Sequence, residues 1–134
     1  MLYKIGVDLG GTKTEIIVLD KNLNVLERKR VPTPQNNYNE IINTIVTLVF
    51  DVSQNISDFT LGICCPGTIS RQTGLIKNSN TQCLIGKSLK IDLEHKLKKT
   101  ISIENDANCF TMAESKMGAG IGFDLVFGVI LGTG

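Results

Sequence analysis

Four short segments combine residue types and spacing that suit chemistry. The first is Asp8-Leu9-Gly10-Gly11-Thr12-Lys13. An acid closes an apolar run, and the glycines that follow let the backbone turn sharply and let a bulky anion approach the amides. Thr12 and Lys13 add a hydroxyl and a cation. The set suits the terminal phosphates of a nucleotide, with Asp8 reaching a bound Mg²⁺ directly or through water. The same residues also read as a plain Gly-Gly hairpin with an acid beside it. A strand rather than a helix follows the glycines, so this is not a dinucleotide fingerprint, and the GxxxxGK[ST] spacing of a P-loop is absent.

The second segment is Glu104-Asn105-Asp106-Ala107-Asn108-Cys109, at a strand-to-helix junction. Asp106 falls in the first helical turn, where the helix dipole favours a carboxylate. An ionised aspartate there accepts a proton from a substrate hydroxyl. Asn105 and Asn108 offer hydrogen bonds to sugar-like groups, although Asn and Asp at this place also read as an ordinary helix cap. The third segment pairs Cys65-Pro66-Gly67-Thr68-Ile69 with Lys77-Asn78-Ser79-Asn80-Thr81. Its amides and hydroxyls carry little charge and suit a neutral polyol, or ordinary loop chemistry. The fourth, Leu131-Gly132-Thr133-Gly134, repeats the pattern of the first, and two such loops face to face would clamp a phosphate chain.

The elements that position these segments follow from periodicity. Ile5 to Asp8 and Thr14 to Leu19 are strands joined at the glycine pair, a hairpin. Leu23 to Val31 is a third strand, stopped by Pro32-Thr33-Pro34. Tyr38, Ile41, Ile42, Ile45, Leu48, Val49 and Val52 recur at helical spacing and form one apolar stripe. Phe59 to Cys64 is a fourth strand. The irregular stretch from Cys65 to Lys87 is long enough to be functional or to hold its own hairpin. Leu89, Leu93 and Leu97 mark a short helix, and Thr100 to Glu104 a fifth strand. Asp106 opens a helix that ends at the glycines after Met117. Phe123 to Leu131 is almost wholly apolar, as expected of a strand buried on both faces.

Composition narrows the functional classes. The chain has 134 residues, of which 42% are hydrophobic and 20% charged, and its net charge is +1. This is a globular composition with no electrostatic basis for binding nucleic acid or an anionic membrane. No apolar run approaches the roughly 18 residues of a membrane-spanning helix. Met1 leads directly into a strand pattern, so no signal peptide is expected. The four cysteines, Cys64, Cys65, Cys83 and Cys109, show no CxxC spacing, and His95 is the one histidine. A zinc site among them is not expected, and reduced thiols point to the cytoplasm.

Taken in order, the four segments resemble the ROK family of sugar kinases, within the broader group that shares the hexokinase and actin fold. The resemblance runs from Gly6-Val7-Asp8-Leu9-Gly10-Gly11-Thr12-Lys13 to Ile130-Leu131-Gly132-Thr133-Gly134, and Asn105-Asp106-Ala107-Asn108-Cys109 is similar to a family signature. Thr73 to Asn80 and Val31-Pro32-Thr33-Pro34 look most like bacterial fructokinases and mannokinases, with N-acetylglucosamine kinases next.

The resemblance implies an α/β, ribonuclease H-like (actin/hexokinase-type ATPase) domain over residues 1–120, a mixed five-stranded sheet flanked by helices. Residues 121–134 would supply the first strand and phosphate loop of a second domain. It implies ATP-dependent phosphorylation of a hexose hydroxyl, fructokinase-like, with N-acetylglucosamine or glucose kinase as the alternative. A non-catalytic sugar-binding module is the alternative of another class. A ribonuclease H-like nuclease would want more acids around Asp8 and a basic surface. Asp106 would be the catalytic base, and Gly67, Asn80, Asn105 and Asp106 would bind the sugar. Asp8, Gly10, Gly11, Thr12 and Lys13, with Gly132, Thr133 and Gly134, would hold the ATP phosphates, and Asp8 would reach Mg²⁺. The implied cofactors are ATP and Mg²⁺. The adenosine-binding segment, the Glu and His completing the sugar site and a Cys-rich zinc motif would lie beyond Gly134. The implied partners are hexose and ATP, without nucleic acid or membrane, in a cytoplasmic homodimer of the full-length enzyme.

Overall fold

The computed structural model of the chain describes residues 2–131. Alternation along β1 (Tyr3–Leu9) buries Ile5, Val7 and Leu9 on one face and leaves Gly6 and Asp8 toward the other. β2 (Lys13–Leu19) runs back antiparallel to it, with Leu9 opposite Thr14 and Asp8 opposite Glu15. This is the expected hairpin around the glycine pair. β3 (Val25–Pro32) adds a third antiparallel strand whose charged residues Glu27, Arg28, Lys29 and Arg30 blunt the sheet edge. It starts at Val25 rather than Leu23. The Asp20 carboxylate accepts the amides of Asn22 and Asn24 at 2.8 and 2.9 Å, and this side-chain turn holds Leu23 at a φ of 67°.

α1 (Tyr38–Ser53) is capped by Asn37, whose side chain accepts the Glu40 amide at 3.1 Å. Its stripe, Ile41, Ile42, Ile45, Leu48, Val49 and Val52, is wholly buried against the sheet. The crossover returns the chain as β4 (Phe59–Cys65), parallel to β1. A second crossover through α2 (Leu89–Leu97) brings in β7 (Ser102–Asn105), parallel to β4. The sheet order is β3-β2-β1-β4-β7, the mixed five-stranded sheet expected from the sequence. Between β4 and α2, the irregular stretch contains a small hairpin, β5 (Thr68–Ile69) with β6 (Ile76–Lys77). One 3₁₀ turn follows it at Gln82–Leu84.

The two faces differ. α1 and α2 cover one, where Ile5, Val7, Leu9, Ile16, Val18, Leu61 and Ile63 join Leu89 and Leu93 in one core. α3 (Asp106–Met117) lies on the other and buries none of its residues. The strand expected over Phe123–Leu131 does not form in this structure. The segment runs past α3 instead, so close at Gly128 that an added Cβ would collide with the Thr111 hydroxyl. Leu125, Phe127 and Leu131 are 90%, 89% and 93% exposed. A strand buried on both faces needs neighbours on both sides, and the described residues offer none there.

Candidate active site

Three parallel strands end side by side. Asp8 of β1 pairs in register with Cys64 of β4, Cys64 with Glu104 of β7, and Cys65 with Asn105. The carboxyl ends of parallel strands are where α/β sheets hold ligands, because loops diverge there and leave a crevice. A cleft of about 1190 Å³ opens between this face and α3, lined by Asp8, Glu15, Cys64, Glu104, Asn108 and Cys109 among others. It extends along α3 to Phe123 and Val126, and its lining includes neither Asp106 nor the glycine loop.

The glycine loop is a tight turn held from outside. The Gly10 amide donates to the Lys13 carbonyl at 3.0 Å. A Cβ on Gly10 would lie 2.7 Å from that carbonyl oxygen, so only glycine fits there. The Thr33 hydroxyl donates to the Gly10 carbonyl at 2.8 Å, and the Thr33 amide donates to the Thr12 carbonyl at 2.9 Å. Gln35 Nε2 donates to the Gly11 carbonyl at 2.9 Å and to the Thr33 carbonyl at 2.8 Å. Thr33 is itself fixed by Thr14, with the two buried hydroxyls 2.8 Å apart. Sequence reading picked out the loop but not these props. The Thr-Pro pair before α1 looks like a strand stop until β3 is paired with β2.

At the β7–α3 junction the cap reading is correct in detail. Asn105 Oδ1 accepts the amides of Ala107 and Asn108 at 3.0 and 3.3 Å. Its Nδ2 donates to the Gly67 carbonyl at 2.5 Å, fastening the loop after β4 to the helix start. Glu104 Oε1 accepts the Asn105 amide at 2.8 Å and Asn108 Nδ2 at 3.1 Å. Asp106 is exposed, and its Oδ1 accepts the Ala107 amide at 2.8 Å. That bond sets the carboxylate's direction while Oδ2 has no protein partner among the described residues.

Asp8 faces other acids. Burial raises its pKa above the usual carboxylate value, the Asp106 and Glu15 carboxylates raise it further, and Arg30 pulls the other way. Glu15 is paired with Arg28 at 3.4 Å and with Arg30 at 2.5 Å. Cys64, Cys65 and Cys109 stay free thiols. Burial, reinforced by Asp106, Cys109 and Glu104, pushes Cys65 up to about 12, and burial also raises Cys64 and Cys109. All three are therefore poor nucleophiles at neutral pH.

The other candidates fall as follows. Gly67 has a φ of 94°, and a Cβ there would meet the Lys77 carbonyl oxygen at 2.8 Å. Asn80 is exposed, next to the buried Ser79, whose hydroxyl accepts the Thr81 amide at 3.1 Å. Thr81 in turn stands 3.7 Å from where a Gly11 Cβ would be, so the third segment reaches the glycine loop. Gly132, Thr133 and Gly134 lie outside the described residues.

The pattern of the ROK family matches residues 4–134. The chain belongs to the ROK family. Among curated relatives, it is 38% identical over 130 residues to the N-acetyl-D-glucosamine kinase of Pectobacterium atrosepticum. It is 39% identical to that of Haemophilus influenzae. Each alignment covers 96% of this chain and 43% of the relative, so the chain spans less than half the length of these proteins. Among solved structures it is similar to a ROK family glucokinase from Streptomyces griseus in complex with glucose and AMPPNP. That match has a TM-score of 0.81 at 29% identity, covering 91% of this chain and 39% of that one. An inorganic polyphosphate/ATP-glucomannokinase from Arthrobacter sp. strain KM matches with a TM-score of 0.80 at 26% identity, covering 92% and 51%. The sheet is thus the ribonuclease H-like fold of this ROK group, in the actin and hexokinase manner.

Proposed function

We propose that this chain forms the sugar-orienting and phosphate-holding domain of an ATP-dependent sugar kinase whose acceptor is N-acetylglucosamine. One observation carries the reading. The Gly10–Lys13 loop and the Asp106 carboxylate stand at the same end of the one mixed sheet, where the parallel strands β1, β4 and β7 finish, close enough that Asp106 raises the pKa of Asp8 beside the loop. The fructokinase expectation gives way to its alternative, because the relatives at 38% and 39% identity are N-acetylglucosamine kinases.

The residues fit a nucleotide's phosphates. Gly10 and Gly11 put no side chain between the loop amides and an approaching anion, and Lys13 is exposed. Asp8 offers a hard oxygen ligand, and no cluster of three acids, cysteines or histidines forms a metal cage among the described residues. That suits Mg²⁺, which keeps its waters and binds through one or two carboxylates plus the substrate phosphates. When bound, Mg·ATP supplies the phosphoryl group and the cation that offsets its charge.

Asp106 then orients the sugar hydroxyl through Oδ2 and accepts its proton as the new bond forms. The base need not be strong, because the phosphoryl transition state is loose. Asn105, with both its Oδ1 and one Nδ2 hydrogen committed, holds Asp106 and the Gly67 loop in place and keeps one donor for the sugar. Asn80 lines the acceptor side from the third segment. Gly132, Thr133 and Gly134 supply the second phosphate loop, residues 121–134 begin the second domain, and the full-length enzyme works as a cytoplasmic homodimer.

Steady-state phosphorylation of N-acetylglucosamine, glucose and fructose by the full-length protein tests the reading. The highest kcat/KM is expected for N-acetylglucosamine. A preference for fructose overturns the acceptor, and no ATP consumption with any of the three overturns the kinase.

A further inference from the structure

A trans peptide points its C=O and the next residue's N–H in opposite directions. The described residues contain no cis peptide. The three successive carbonyls of Gly10, Gly11 and Thr12 are each taken from the same side, by the Thr33 hydroxyl, Gln35 Nε2 and the Thr33 amide. The amides of Gly11, Thr12 and Lys13 must therefore face away from residues 33–35. Neither the Gly11 nor the Thr12 amide donates to a protein acceptor among the described residues, and the Lys13 amide does not close the turn onto the Gly10 carbonyl.

We propose that Thr33 and Gln35, in the connection between β3 and α1, are positioning residues that hold the Gly10–Lys13 loop in an anion-binding form before nucleotide arrives. This rests on the kinase reading above and adds residues to it. Neither side chain need touch the nucleotide. Each acts by taking a loop carbonyl, which turns the attached amide outward. Because the loop is already ordered, phosphate binding does not have to order it, and affinity rises by the ordering cost avoided. The two props differ in kind. Thr33 is 3% exposed and its hydroxyl receives the Thr14 hydroxyl, so it is built into the sheet. Gln35 is exposed and spans two carbonyls at once, those of Gly11 and Thr33. Its removal tests the loop without disturbing the core.

The test uses the full-length protein and its Thr33→Val, Thr33→Ser and Gln35→Ala variants. AMPPNP with Mg²⁺ and N-acetylglucosamine are titrated separately by calorimetry, and KM is measured for each substrate. Thr33→Val and Gln35→Ala are expected to weaken AMPPNP binding roughly three- to tenfold, about one net hydrogen bond. KM for ATP should rise in step. Sugar affinity should stay within about twofold of wild type, and Thr33→Ser should restore nucleotide binding, since it keeps the donor. Unchanged AMPPNP affinity in Gln35→Ala, while the wild type binds it, overturns the positioning role and leaves the kinase reading standing. A parallel fall in sugar and nucleotide affinity, or a Thr33→Ser variant as weak as Thr33→Val, also overturns it. Wild-type protein that does not bind AMPPNP overturns both.

Discussion

The Asn105 side chain ties two segments 38 residues apart, donating to the Gly67 carbonyl at 2.5 Å while its other end caps α3. One residue thus sets both the start of the helix that carries Asp106 and the path of the loop after β4. Removing it in Asn105→Ala takes away a cap and a part-buried hydrogen bond, with an expected loss of about 1–3 kcal/mol of stability. Gly67→Ala should cost at least as much, because its positive φ and the nearby Lys77 carbonyl leave no room for Cβ. Urea denaturation monitored by circular dichroism reads both. A midpoint for Asn105→Ala equal to wild type would show that the cap is held by something else.

Asp106 is exposed, and among the described residues its carboxylate accepts one hydrogen bond, from the next residue's amide. Asp106→Ala should therefore leave the melting temperature almost unchanged while kcat of the full-length enzyme falls about 10²- to 10⁴-fold. Sugar affinity, measured separately, should fall far less than turnover. Retention of half the wild-type kcat would remove Asp106 from the chemistry.

Asp8 gives a signed pH prediction. Its carboxyl has a higher pKa in the folded chain than in the unfolded one, chiefly through burial and then through Asp106 and Glu15. The folded state therefore binds this proton more tightly. Its contribution to stability is full below the unfolded value, near 3.8, and is lost as pH rises through the raised folded value. Asp8→Asn removes the ionisation. The variant should melt higher than wild type at pH 7, and the gap should narrow toward pH 3. A gap that widens on acidification would reverse the sign assigned to this site.

The apolar segment Phe123–Leu131 should promote self-association. Phe123, Leu125, Phe127, Val129 and Ile130 are exposed by 71%, 90%, 89%, 64% and 53%. Exposed apolar backbone without ladder partners recruits other chains. Light scattering on the 134-residue chain should show concentration-dependent growth that Leu125→Asp with Phe127→Asp suppresses. Equal, monomeric scattering from both would exclude the segment as the cause.

Much of this architecture is legible locally. The alternation Ile5-Gly6-Val7-Asp8, the glycine turn and the β-branched run after it specify a hairpin whatever lies elsewhere. The three- and four-residue spacing of Ile41, Ile45, Leu48 and Val52 specifies α1 in the same way. The Asn105-Asp106 pair reads as both a cap and a site, and the structure shows Asn105 filling the cap. Leu23 and Phe123–Leu131 depart from the sequence reading because their conformation depends on partners. A neighbouring side chain, Asp20, bends the first, and the second has no adjoining strand among the described residues.

Residue order alone therefore settles the hairpin, α1 and the other elements up to α3, where the glycine loop sits and which acids are available, since each depends on neighbours within a few positions, whereas the state of Phe123–Leu131 does not. It does not settle that β4 lies between β1 and β7, which places Asp8, Cys64 and Glu104 in one row. Nor does it disclose that Thr33 and Gln35, more than 20 residues downstream, take the loop's carbonyls. Those relationships come from burying the apolar faces of distant strands and helices together, and a hydrogen bond across such a distance has no signature in the spacing of the residues that make it.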